Sequence, residues 1–199
     1  MKTFCISIYN ENYSFFKNNN LTPVGLGNSY FGNEWINDKF KNDISSKNIN
    51  FGEYSFHYRL WKDLLLKNKN YEWIGFCTYR RFWVNKNSPT PKNLEELSNS
   101  ILKNTPSEWN DYECILAKPI ILGKQKFMKL LKHNFKYIFK KPTLLINRST
   151  IRDHFYLSHG SFFLEEAIKL LDRNEQDKFQ EYLNGHEFNP HNLFICKNI

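Results

Sequence analysis

The run Trp73-Ile74-Gly75-Phe76-Cys77-Thr78 constrains this chain most: six residues without polar alternation, bounded by Asn68-Lys69-Asn70 before and Arg80-Arg81 after. A strand with one wet face alternates apolar and polar side chains, so an unbroken run of this length reads as a strand covered on both faces. Ahead of it, Gly52 to Leu66 space Phe56, Leu60 and Leu64, with Trp61 and Leu65, at three and four, the pattern of an amphipathic helix. Glu53 falls in its first turn, where a carboxylate suits the helix dipole. The β-branched and aromatic run Thr3 to Tyr9 supplies an earlier strand. Strand, helix, strand in this order predicts a parallel α/β unit, a mostly parallel sheet flanked by helices.

The rest of the chain punctuates into shorter pieces. Asn10 to Asn20 is polar, the glycines of Pro23-Val24-Gly25-Leu26-Gly27-Asn28 mark turns, and residues 32–50 read as a long loop of the kind that tends to carry function. Helical patterns cover Leu94 to Lys103, Ser149 to Leu157, Phe162 to Leu171 and Glu175 to Leu183. A buried strand is expected over Tyr112 to Lys118, ended by Pro119, and a closing strand over Asn192 to Cys196. Lys124 to Lys141 is the clearest amphipathic helix, with Phe127, Leu130, Leu131 and Ile138 opposite Lys129, Lys132, Lys136 and Lys140, and Pro142 stops it. Its lysine face suits an ordinary solvated surface or a peripheral contact with an anionic membrane. With 199 residues, one domain over 1–199 is the expectation.

Composition excludes several classes. Eighteen Phe, 11 Tyr and 5 Trp are too much apolar surface for a disordered chain, and no apolar run approaches the ~18 residues of a membrane span. The first residues lack a secretory core and cleavage site, so a cytoplasmic protein is expected. A net charge of +8 invites a nucleic-acid reading, but 22 Lys against 6 Arg, beside 26 Asn, mark most of it as compositional background. The aromatics lie in strand and helix patterns rather than among the basic residues, so no nucleic-acid partner is expected. Cys5, Cys77, Cys114 and Cys196 form no C-x-x-C pair and sit in apolar runs, which predicts buried reduced thiols rather than a metal site.

Two constellations could carry chemistry. Ligands of open α/β sheets bind beyond the carboxyl ends of the strands, where the run above delivers Tyr79, Arg80 and Arg81. Adjacent guanidinium forks match the oxygens of a phosphate or diphosphate; pairing of one Arg with a carboxylate is the plain alternative. The second is Asn42-Asp43-Ile44-Ser45-Ser46-Lys47-Asn48 followed by Glu53, polar groups fit for sugar or nucleotide hydroxyls, or equally an N-terminal cap with surface side chains.

These residues carry a resemblance. Asn42 to Asn48, Glu53, Tyr58-x-x-Trp61-Lys62, Ile74-Gly75-Phe76-x-x-Tyr79-Arg80-Arg81-Phe82, Ser158-His159 before Glu165 and Ala167, and Pro190-x-Asn192-Leu193-Phe194-Ile195 resemble, in order, the blocks of the bacterial DUF4422 family of putative glycosyltransferases. The resemblance implies a GT-A-like fold with a Rossmann-type sheet, and transfer of a sugar from a nucleotide-sugar, a UDP-sugar foremost, to a growing capsular or lipopolysaccharide glycan, free or lipid-linked. It implies Asp43, Ser45, Lys47, Asn48, Glu53, Tyr79, Arg80 and Arg81 as donor-binding residues; the candidate catalytic carboxylates are Asp43, Glu53, Glu165 and Glu166, with Glu165 or Glu166 first. His159 and Asn192 are implied to meet the acceptor or the leaving phosphate. Thr78 stands where the family usually has His, Asn42-Asp43 reverses the expected order, and Phe163 replaces an expected acidic residue. The family pattern also continues beyond the last block. Mn²⁺ or Mg²⁺ would be the cofactor of a GT-A enzyme with an Asp-x-Asp motif, but the sequence has none, so Tyr79, Arg80 and Arg81 are expected to carry the diphosphate without a metal. A catalytically dead sugar-binding relative and a non-catalytic binder of nucleic acid or anionic surfaces are the alternatives.

Overall fold

The structure, a computed structural model, describes residues 1–65, 71–123, 135–159 and 163–198. The contacts gather into two compact units, Met1–Ala117 with His191–Ile199, and Lys118–Pro190.

The first unit holds β1 (Lys2–Ser7), α1 (Tyr13–Asn18), β2 (Leu21–Gly25), α2 (Asn48–Phe51), α3 (Tyr54–Arg59), β3 (Trp73–Thr78), α4 (Leu94–Ser100) and β4 (Cys114–Leu116). The chain returns to it for β7 (Phe194–Lys197). The sheet order is β2-β1-β3-β7-β4. β1 pairs parallel with β2 and β3, while β7 is antiparallel to both β3 and β4, so four strands run one way and β7 alone opposes them. The mostly parallel sheet predicted from the apolar runs is therefore present.

Coverage of both faces explains the missing alternation. Phe4, Ile6, Ile74 and Phe76 pack with Phe56 and Leu60 of the helix segment before β3, while Cys5 and Cys77 pack on the other face with Phe16, Trp35 and Ile101. Beyond Arg59 the helix widens into a π-turn over Leu60–Leu64, and Trp61 is left exposed with the Lys62 ammonium 3.3 Å from its ring centre.

Three expectations need correction. The polar stretch Asn10 to Asn20 contains α1, anchored by the fully buried Phe16, and the turn-like Pro23 to Asn28 begins inside β2. Pro23 suits β2 because that strand is outermost and its missing N–H costs no ladder bond; its carbonyl accepts from the Ile36 amide at 3.0 Å. Tyr112 to Lys118 yields only β4, an edge strand whose Cys114 and Leu116 are exposed, so that thiol is not buried; Cys196 is half-buried.

The second unit holds β5 (Ile120–Ile121), α5 (Phe135–Lys140), α6 (Ile151–His159), α7 (Phe163–Ile168), α8 (Arg173–Asn184) and β6 (Glu187–Phe188), with β5 and β6 antiparallel. Its core gathers Leu122, Tyr137, Leu144, Tyr156, Leu164 and Leu183. Asp172 caps α8 by accepting from the Glu175 amide at 3.0 Å. Of the helix expected over Lys124 to Lys141, residues 124–134 lie outside the described residues; Phe135–Lys140 is helical and Pro142 opens a 3-10 turn. Among the described residues no helix is long and apolar enough to cross a membrane.

Candidate functional site

β1, β2 and β3 end side by side, with Ile6 opposite Thr78 and Ser7 opposite Gly25. Beyond β3 the chain doubles back at once: the Arg81 amide donates to the Thr78 carbonyl at 3.0 Å and the Thr78 amide to the Arg81 carbonyl at 3.1 Å. Tyr79 and Arg80 are thereby the two residues of a tight turn on the sheet's carboxyl edge. The Arg80 guanidinium lies 4.9 Å over the Tyr79 ring, and that ring stands edge-on to Tyr9 beyond β1, 5.1 Å between centroids. Arg80 and Arg81 are both exposed. The neighbouring loops are tied down: Ser29 Oγ donates to the Ile8 carbonyl at 2.7 Å and Asn10 Nδ2 to the Tyr30 carbonyl at 3.2 Å. Gly25 is required at the end of β2, because a Cβ there would fall 2.3 Å from the Phe31 ring.

At the start of α3 a carboxylate meets this edge. Burial pushes the Glu53 carboxyl above its ordinary range, although Arg81 and a hydrogen bond from the Asn192 side chain pull the other way. Asn192 in turn accepts from the Tyr54 hydroxyl at 2.8 Å on Oδ1, which leaves its NH₂ for Glu53. Burial, and after it the nearby Arg81 charge, lowers the pKa of the His191 imidazole from its ordinary value. Predicted residues Glu53, Arg81 and Asn192 are thus brought together from positions far apart in the chain.

His57 lies one turn after Glu53 on α3. Its ring is 4.4 Å from Phe76 and 5.7 Å from Phe194, and burial lowers its pKa to about 4. Its buried Nε2 and the buried Thr78 Oγ1 have no hydrogen-bond partner among the described residues. Tyr54, His57 and His191 were not among the expected site residues. A signal did exist, since Glu53 and His57 share a helix face at i, i+4 and His191 adjoins Asn192.

The other expected residues hold local structure. Asp43 accepts from the Phe40 amide, and from the amide and hydroxyl of Ser45, at 2.9, 2.9 and 2.7 Å, bonds that keep its carboxyl below the usual range. Asn42 before it adopts φ 65°, tolerable for asparagine. Asn48 donates to Ser55 Oγ at 2.7 Å and to the Gly52 carbonyl at 2.9 Å, and Ser55 donates to the buried Asp38 at 2.6 Å. Lys47 is exposed in the 3-10 turn Ser45–Lys47. Glu165, Glu166 and His159 belong to the second unit. There Glu165 takes Arg152 and the Tyr156 hydroxyl, Glu166 pairs with Lys169 at 2.9 Å, and the exposed His159 ring lies 4.6 Å from Phe155.

A divalent cation fits this edge poorly. Hard cations need several oxygen ligands, whereas here one carboxylate, Glu53, stands against Arg81. Among the described residues no three His, Cys, Asp or Glu side chains converge as a metal site.

The model of the family described as DUF4422, a domain of unknown function, matches residues 5–199. The apo structure of WbbM, a bifunctional glycosyltransferase, is similar in fold with a TM-score of 0.57 at 12% identity, over 99% of this chain and 34% of that one. This chain therefore spans about a third of the protein it resembles. No curated protein matches it.

Proposed function

The chain belongs to the DUF4422 family, and on that footing we propose that it is a glycosyltransferase that moves a sugar from a nucleotide-sugar to a glycan hydroxyl. The observation that carries the reading is the cluster of Glu53, Arg81 and Asn192 at the carboxyl edge of parallel strands, the place where open α/β sheets take ligands. The glycosyltransferase-like fold shared with WbbM agrees with it.

In this reading Arg80 and Arg81 receive the donor diphosphate, and the Tyr79–Tyr9 pair forms the ledge beside it. The acceptor oxygen attacks the anomeric carbon while the bond to the diphosphate breaks, and the electron pair leaves on the phosphate oxygen. Glu53 takes the acceptor proton. Its raised pKa suits that task, since a base works best when its pKa approaches the working pH. Asn192 and Tyr54 orient the carboxylate. The arginines neutralise the charge on the leaving group, the part a metal plays elsewhere. A UDP-sugar is the first donor to try, and a glycan, soluble or lipid-linked, is the acceptor.

A panel of nucleotides and nucleotide-sugars in thermal shift tests this. Stabilisation by a UDP-sugar that disappears in Arg80→Ala and Arg81→Ala, with transfer persisting in EDTA, is the expected result. Stabilisation by oligonucleotides alone, with a steep salt dependence, would overturn it.

A further inference from the structure

The second unit has a cavity of its own, about 660 Å³, lined by Lys141, Thr143, Asn147, Arg148, Asp153 and His186 among others. That size falls in the range of roughly 300–1,000 Å³ typical of small-molecule sites. We propose that it binds an anionic oxygen group of the phosphate class, separately from the sheet-edge site.

The polar bookkeeping of its wall supports this. Asp153, wholly buried, is saturated: it accepts from Tyr137 at 2.8 Å, from Lys141 at 2.8 and 3.0 Å, and from the amide and hydroxyl of Thr150 at 3.0 and 2.9 Å. Its charge cancels that of Lys141, so it neither repels a ligand nor offers a lone pair to one. Lys141 spends two of its three N–H donors there and keeps the third. Arg148 spends only Nε, on the Leu122 carbonyl at 3.2 Å, which leaves both terminal nitrogens of its fork unused among the described residues. His186 Nδ1 lies 2.9 Å from the Ser149 carbonyl, an atom that can only accept, so Nδ1 carries the proton and spends it there, and Nε2 of the neutral ring is not counted among the donors. The Thr143 hydroxyl and the Asn147 amide add neutral donors. The wall therefore presents a surplus of donors and one uncancelled positive charge, a combination that favours an oxyanion over a cation or an apolar guest.

The test uses the Arg80→Ala/Arg81→Ala variant, in which the sheet-edge arginines cannot bind anions, titrated with inorganic pyrophosphate by calorimetry. Binding is expected to persist there, to weaken at least about tenfold, near 1.4 kcal/mol, on adding Arg148→Ala, and to weaken several-fold on adding Asn147→Ala. Absence of binding in the Arg80→Ala/Arg81→Ala background, or indifference to both Arg148→Ala and Asn147→Ala, overturns the proposal. Circular dichroism checks each variant; should Arg148→Ala not fold, Asn147→Ala and Arg148→Lys decide. Phosphatidylcholine vesicles containing phosphatidic acid form a second arm. Capture lost in the same variants assigns the group to a lipid headgroup, and binding of soluble pyrophosphate alone assigns it to a soluble ligand. Neither arm depends on glycosyl transfer.

Discussion

Glu53 in the first unit and Asp153 in the second are carboxylates removed from bulk water, and their surroundings resolve that cost in opposite directions. Burial pushes Asp153 up, but bonds from Lys141, Thr150 and Tyr137 outweigh it and the carboxyl ends below its ordinary range. Burial also pushes Glu53 up, and there Arg81 and Asn192 fail to compensate, so it ends above. A carboxylate with every lone pair taken is a structural anchor. One left short of partners beside an exposed guanidinium is primed to take a proton.

The contrast can be broken most severely at the two sites themselves. Glu53→Gln is expected to lower kcat by about 10²–10⁴ with little change in thermal stability, and Arg81→Ala by about 10²–10³, both in a transfer assay. Glu165→Gln, which loses a partnership with Arg152 and Tyr156, should leave kcat within a few-fold; the reverse pattern would move the base to the second unit. Asp153→Ala should do the opposite of Glu53→Gln, lowering unfolding stability by about 3 kcal/mol in urea titration.

An effect of similar size in energy, but confined to acid, comes from His57. Its pKa falls from 6.5 unfolded to about 4 folded, so the folded state binds fewer protons between those values. The stability it contributes is present above pH 6.5 and is lost as the pH drops toward 4, by about 3 kcal/mol. His57→Phe should flatten that part of the stability–pH curve. Glu53 has the other sign: its raised pKa favours the folded state at low pH, and that advantage is lost as the pH rises through its titration, where transfer should switch on. The gentlest probe is alkylation of the native protein, in which Cys114 should react well ahead of Cys5 and Cys77, detected by mass spectrometry of peptides.

The sheet was legible where burial was two-sided. Trp73 to Thr78 could only be an internal strand, and the strand observed has those limits. The edges were harder to read, because an edge strand needs only one neighbour. β2 carries a proline and β4 is exposed, so neither has the apolar continuity of the centre. α1 escaped because its anchors, the buried Phe16 with the partly buried Tyr13 and Phe15, stand among asparagines. Within the site, the Tyr-Arg-Arg turn was readable from its place after a buried strand. Tyr54 was not, since its value lies in reaching Asn192 across more than a hundred residues of chain, and His191 was marked only by standing next to Asn192, its approach to Arg81 being equally distant in sequence.

By itself, the sequence determined the α/β class, the central strand and helix and the Tyr79-Arg80-Arg81 corner, because hydrophobic periodicity and strand ends are local properties of the chain. Tertiary structure alone decided which carboxylate meets Arg81. Asp43 and Glu53 stand ten residues apart with similar neighbours, yet one is consumed by its own loop and the other is carried to the sheet edge and left under-solvated. Desolvation and hydrogen-bond saturation depend on what packs from elsewhere in the chain, and no local pattern encodes them.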